Sequence, residues 1–113
     1  MKTTFPETIR DIASALRRNE FSAADLTKHH LDVIHQKNGE LNAYLRVFPH
    51  ALEQARAADA KLREGTEPPL LTGIPLAVKD NILVEGEHAS AGSNILEPYV
   101  ASFDATAIRK LRE

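Results

Sequence analysis

Cysteine is absent from the 113 residues, which excludes disulfides and thiol chemistry and fits a reducing compartment. An excess of charge of either sign is also missing. Fourteen basic residues against 16 acidic ones leave a formal net charge of −2, without the basic surplus of a nucleic-acid surface. No run approaches the roughly 18 apolar residues that cross a bilayer, and "MKTTFPETIRD" at the start lacks the apolar stretch of a signal peptide. A cytoplasmic protein without membrane contact is therefore expected. The chain also lacks the GxGxxG and GxxxxGK[ST] phosphate loops, the HExxH zinc pattern and the EF-hand loop.

What remains is 42% hydrophobic and 27% charged, the composition of one soluble globular domain with a modest core. "TFPETIRDIASALRRNE" reads as a helix: Thr4 and Glu7 have capping-box spacing, and Pro6 sits where its missing N–H costs nothing. Ile9, Ile12, Ala13 and Leu16 give it an apolar stripe. In "FSAADLTKHHLDVIHQKN", Ser22 caps a second helix with Asp25 three residues on; Leu26, Val33 and Ile34 share a face, and Gly39 is its expected stop. A third helix, "HALEQARAADAKLRE", follows Pro49 with Ala51, Ala55, Ala58 and Leu62 on one side, and "GTEPP" breaks it.

Strands are expected at "NAYLRVF", at the run "LLTGIPLAV" and at "NILVEGE". The middle run lacks polar alternation, which points to burial on both faces in a sheet covered by helices. "ASAGSN" reads as a loop, and Asp104 as the N-cap of a last helix, "FDATAIRKLRE". That helix is still in register at Glu113. Together with a two-faced strand that needs more neighbours, this leads us to expect the front part of a longer protein.

Few residues present themselves for chemistry. His30 and His35 do not share a helical face, and His29, His30, His35, His50 and His88 read as solvated or capping side chains. Asp80, Glu85 and Glu87 beside glycine turns read as solvated carboxylates, and Arg56, Lys61 and Arg63 as the outer face of the third helix. Lys79 differs, because it ends the most apolar run in the chain. Two readings stand at this point. One is an ordinary strand-end lysine reaching water; the other is an amine held in a closed cavity, where desolvation favours the neutral form that accepts a proton from a hydroxyl.

The residues from Leu71 onward bear on that choice. Leu71, Gly73, Ile74 and Pro75, then Lys79, Asp80 and Asn81, then Gly86, Gly92 and Ser93, and finally Asp104 and Ala105 stand in an order that resembles the amidase signature family. The upstream stretches "FSAADLTKHHLDVI", "LNAYLRV" and "ALEQARAADAKLREG" are similar to one branch of it, the glutaminase subunit of a tRNA-dependent amidotransferase. The resemblance implies an α/β fold, with N-terminal helices and the first strands of an α/β/α sandwich around a mixed sheet. It divides the chain into a helical front (1–66) and the start of a catalytic core (67–113). It also implies a Ser–cis-Ser–Lys triad in which Lys79 is base and proton relay, both serines lying beyond Glu113, so that these residues alone have no amidase activity. Ser90 and Ser93 fall at loop positions of the pattern, and "HAS" at 88–90 stands where relatives carry a threonine-rich stretch.

For that branch, the expected substrate is glutamine and the partners are a B and a C subunit. Misacylated tRNA, either Glu-tRNA(Gln) or Asp-tRNA(Asn), is handled mainly through the B subunit, as are ATP and Mg²⁺, and no cofactor is expected in this chain. Two other functions compete: another amidase-signature hydrolase of small amides, and a non-catalytic interaction module that kept the helical front.

Overall fold

The computed structural model describes residues 4–65 and 67–113. They form two compact units that part between Pro75 and Leu76. The border expected at Thr66 falls on a residue outside the described ones. The first unit is built from α1 (Ile9–Arg17), α2 (Ala23–Leu41) and α3 (Ala51–Arg63), and the second carries α4 (Thr106–Arg112).

α1 begins later than its sequence suggested. Thr8, not Thr4, is the N-cap: its hydroxyl oxygen accepts from Asp11 N–H at 3.2 Å, and the hydroxyl donates to Asp11 Oδ2 at 2.7 Å. Pro6 disfavours helical backbone at Phe5. The Phe5 ring packs edge-on against Phe21 with centroids 4.8 Å apart, and against His29 at 5.0 Å. Ile9, exposed, lies off the buried stripe, which consists of Ile12, Ala13, Ala15 and Leu16. The helix ends in a Schellman arrangement: Asn19 is left-handed at φ 53°, and Glu20 N–H donates to Ala15 C=O at 3.0 Å.

α2 starts as predicted. The Ser22 hydroxyl accepts from Asp25 N–H at 2.9 Å while the Asp25 carboxylate accepts from Ser22 N–H at 3.2 Å, a reciprocal capping box. Its end is not Gly39. The helix runs on to Leu41 and stops at Asn42, left-handed at φ 50°. α3 lays Ala55, Ala58 and Leu62 against Ile12, Leu16, Ala23 and Leu26, so the small residues on its face do allow close approach. Between them comes Asp59, only 8% exposed, whose two carboxylate oxygens accept Ala23 N–H at 2.6 Å and Ala24 N–H at 3.1 Å. The first amides of a helix have no partner within it, and a carboxylate there also suits the positive end of the helix dipole.

The three expected strands are not formed; among the described residues the regular structure is helical, and pairing is reduced to one antiparallel bridge, His88 to Val100. Each correction has a local cause. At 42–48, Tyr44 has both backbone groups occupied by the Asn38 side-chain amide, its N–H and C=O each at 2.8 Å, instead of by a neighbouring strand. At 70–78, Thr72 N–H donates to Pro69 C=O and Ile74 N–H to Leu71 C=O, both at 3.1 Å, so the run opens with turns. At 81–87, Ile82 N–H bonds Lys79 C=O at 2.9 Å and Glu87 N–H bonds Val84 C=O at 3.0 Å, again turns. The α/β sandwich is thus not present in these residues.

The turn at 69–74 is fixed by one glycine. Gly73 has φ 83°, and a β-carbon on it would stand 3.0 Å from Ala23 Cβ, 3.3 Å from Leu16 Cδ1 and 3.4 Å from Leu62 Cδ1. Ile74 packs on the same core, and Arg17 Nη2 donates to Pro68 C=O at 3.0 Å. The Leu-x-Gly-Ile-Pro block is therefore a turn driven into the helical core.

Three outcomes are expected. Gly73→Ala combines a forced left-handed alanine with overpacking and lowers unfolding stability by about 1–3 kcal/mol in a urea titration. Asp59→Ala leaves the buried Ala23 amide and the half-buried Ala24 amide without acceptors and costs about 1–3 kcal/mol, with Asp59→Asn in between. The Asp25 carboxyl lies below its ordinary value of 3.8, held there first by the Ser22 hydroxyl and then by the Ser22 amide, against a small opposing effect of burial. A depressed carboxyl contributes stability that is in place above 3.8 and is lost as pH falls through its folded value. An NMR titration of the Asp25 carboxyl carbon therefore gives a midpoint under 3.8, and Ser22→Ala moves it upward.

Candidate active site

Lys79 lies in the second unit, in a segment without regular structure between Leu76 and the turn at Asp80, and it is exposed. Its expected setting, a buried strand in a closed cavity, is not built by the described residues. Leu76 before it is 52% exposed. The backbone after Lys79 is well anchored. Besides the turn to Ile82, the Asp80 C=O accepts Ala91 N–H at 3.0 Å, and Asp80 Oδ2 accepts both Ser90 N–H, at 3.2 Å, and the Ser90 hydroxyl. Ser90 is buried.

Beyond that loop, short bonds connect 86–89 to 99–101: Gly86 N–H to Ala101 C=O and Ala101 N–H to Glu87 C=O, each at 2.9 Å, and Ala89 N–H to Tyr99 C=O at 3.2 Å. Val84, Ala89, Ala101 and Ile108 are the buried apolar residues of this unit. Asp104 is not the N-cap of α4; that position is Ala105. Its carboxylate instead accepts Glu85 N–H at 2.8 Å and pairs with Arg112 Nη1 at 2.9 Å, so it joins the turn at 84–87 to the end of α4.

The remaining candidates have structural tasks or face water. His29 packs at a tilt against Phe5, and His30 beside it is held below its ordinary value of 6.5, first by partial burial and then by the neighbouring His29. His50 Nδ1 lies 3.2 Å from Glu53 Oε2, and His88 Nδ1 lies 3.1 Å from Glu97 C=O. Among the described residues no three His, Cys, Asp or Glu side chains are grouped to hold a metal. Arg56, Lys61 and Arg63 are exposed on α3, as expected. Glu85 is exposed, whereas Asp80 is engaged with Ser90. Ser93 is a loop residue whose N–H donates to Ser90 C=O at 2.8 Å. No described helix is long and apolar enough to cross a membrane.

Two arrangements escaped sequence reasoning: the Asp59 contact with the start of α2 and, beside Lys79, the bonding of Ser90 to Asp80. Asp59 left a signal, since it lies four residues after Ala55 on the apolar face of α3, where an acid needs partners. The Asp80–Ser90 pair left none, because its members meet only through a ten-residue loop.

Comparison with known proteins gives a consistent picture. The Amidase family model matches residues 25–113. A protein of Nitrosococcus oceani, named as the A subunit of glutamyl-tRNA(Gln) amidotransferase, is 41% identical over 94% of this chain and 22% of its own length. Proteins of the same name from Ralstonia nicotianae and Bdellovibrio bacteriovorus are 43% identical over 92% of the chain and 35% identical over all of it. They match over 21% and 23% of their own lengths, so the chain spans about a fifth of the curated relatives it resembles. By the span and order of these matches, the chain belongs to the amidase family.

Proposed function

We propose that this chain supplies the lysine base of a glutamine-hydrolysing subunit in a tRNA-dependent amidotransferase. The observation that supports this most is the shared name of relatives 35–43% identical over nearly the whole chain; the resemblance of this chain's own Lys79-Asp80-Asn81 block to the family's pattern supports the choice of base. A nucleophilic serine and a relay serine on a cis peptide complete the site from sequence following Glu113.

A serine hydroxyl is a weak nucleophile until a base removes its proton. That proton passes through the relay serine to the neutral Lys79 Nζ while the oxygen adds to the glutamine side-chain amide carbonyl. The same proton then goes to the departing nitrogen, so ammonia leaves and a glutamyl ester remains on the serine. Water cleaves the ester, giving glutamate and restoring the hydroxyl. An exposed ammonium does not perform this task, so Lys79 is covered when the rest of the site assembles over it.

In the same reading, the misacylated tRNA is activated with ATP and Mg²⁺ by a B subunit. A C subunit bridges the two proteins, and ammonia moves between sites through an internal channel in a cytoplasmic complex. The chemistry left to this chain requires no cofactor.

In the full-length protein assembled with its partners, Lys79→Ala abolishes glutamine-dependent amidation, and amidation driven by added ammonia continues. Assaying both nitrogen donors side by side checks this. Undiminished glutamine hydrolysis by the variant removes Lys79 from the mechanism.

A further inference from the structure

The residues that pin the chain directly after Lys79 form a unit of their own. Asp80 Oδ2 receives two hydrogen bonds from one residue, Ser90, through its N–H at 3.2 Å and through its hydroxyl. Ala91 N–H donates to the Asp80 C=O at 3.0 Å. Ala91 is left-handed at φ 50°, a conformation that costs an L-residue about 1–2 kcal/mol. That cost falls where two successive amides reach residue 80. Ser90 is 6% exposed, so its hydroxyl is not a surface group exchanging with water. On the near side, Lys79 C=O accepts Ile82 N–H at 2.9 Å.

Two of these bonds hold the backbone carbonyls of Lys79 and Asp80 and two hold the Asp80 carboxylate, although Lys79 itself is exposed. A hydroxyl donating to a carboxylate makes a stronger bond than a neutral pair. The hydroxyl has one hydrogen, and here it is directed at Asp80. Loss of placement by about 1 Å at a reacting group is enough to slow a reaction about a hundredfold, and such placement depends on the residues behind the group.

We propose that Asp80 and Ser90 are a latch that positions Lys79 for proton transfer, as positioning residues that touch neither substrate nor the reacting atoms. This rests on the reading of Lys79 as base. Glutamine hydrolysis by the full-length protein with its partners tests it, with kcat and KM measured for Ser90→Ala, Ser90→Thr, Asp80→Asn and Lys79→Ala. The expected pattern is a fall in kcat of about tenfold to a hundredfold for Ser90→Ala and Asp80→Asn. KM is expected to stay near that of the parent in both, and Ser90→Thr, which keeps the hydroxyl, restores kcat.

A parental kcat in Ser90→Ala overturns the latch, and so does a loss that threonine fails to restore or one carried by KM. If Ser90→Ala does not accumulate as folded protein, Asp80→Asn, which keeps the shape of the side chain, is judged by its own kcat and KM in the same way. An inactive Lys79→Ala beside a fully active Ser90→Ala refutes the latch alone. An active Lys79→Ala refutes the base itself, and the latch with it.

Discussion

Asp59 places an anionic side chain where the amides of Ala23 and Ala24 have no partner in their own helix. Because the two bonds cross from α3 to α2, they set the depth and register at which those helices meet. The alanines beside Asp59 then let the backbones come close, and Leu16 and Leu26 fill the space between. Apolar contact alone would tolerate sliding, since burial is nearly indifferent to direction. The charged cap is directional. It leaves one arrangement of the helices, and that arrangement forms the surface on which the Gly73–Ile74 turn is seated.

The helices were legible because their signals are local. Ser22 with Asp25 marked the start of α2, and the alanine face of α3 announced close packing. Where expectation and structure part, a competing local bond had won. At α1 the Thr8 hydroxyl, bonded to Asp11, caps the helix in place of Thr4. Asn42 ended α2 because a left-handed asparagine serves as well as a glycine. The run from Leu70 to Val78 had the composition of a core strand, yet it contains Gly73 and Pro75, both turn formers. Punctuation outweighed composition there.

The candidate site divides the same way. The place of Lys79 in the chain could be read from its neighbours, whereas its surroundings could not, since covering an amine takes contacts from distant sequence. The Asp80–Ser90 pair and the Asp104 link from the turn at 84–87 to Arg112 are likewise bonds between residues that do not stand out one by one. Together they show that the loop following Lys79 is ordered by polar bonds more than by apolar burial. Such bonds are strong in direction and small in net energy.

Around Gly73, four positions divide a single volume. Ala23 Cβ, Leu16 Cδ1 and Leu62 Cδ1 all lie within 3.4 Å of where its missing side-chain carbon would be. None of the four can grow without another shrinking, and glycine has nothing left to give up. Divergence in this corner of the protein must therefore proceed by coordinated exchange, with bulk gained at residue 23 surrendered at residue 16 or 62, while the turn that enters there keeps its bare backbone.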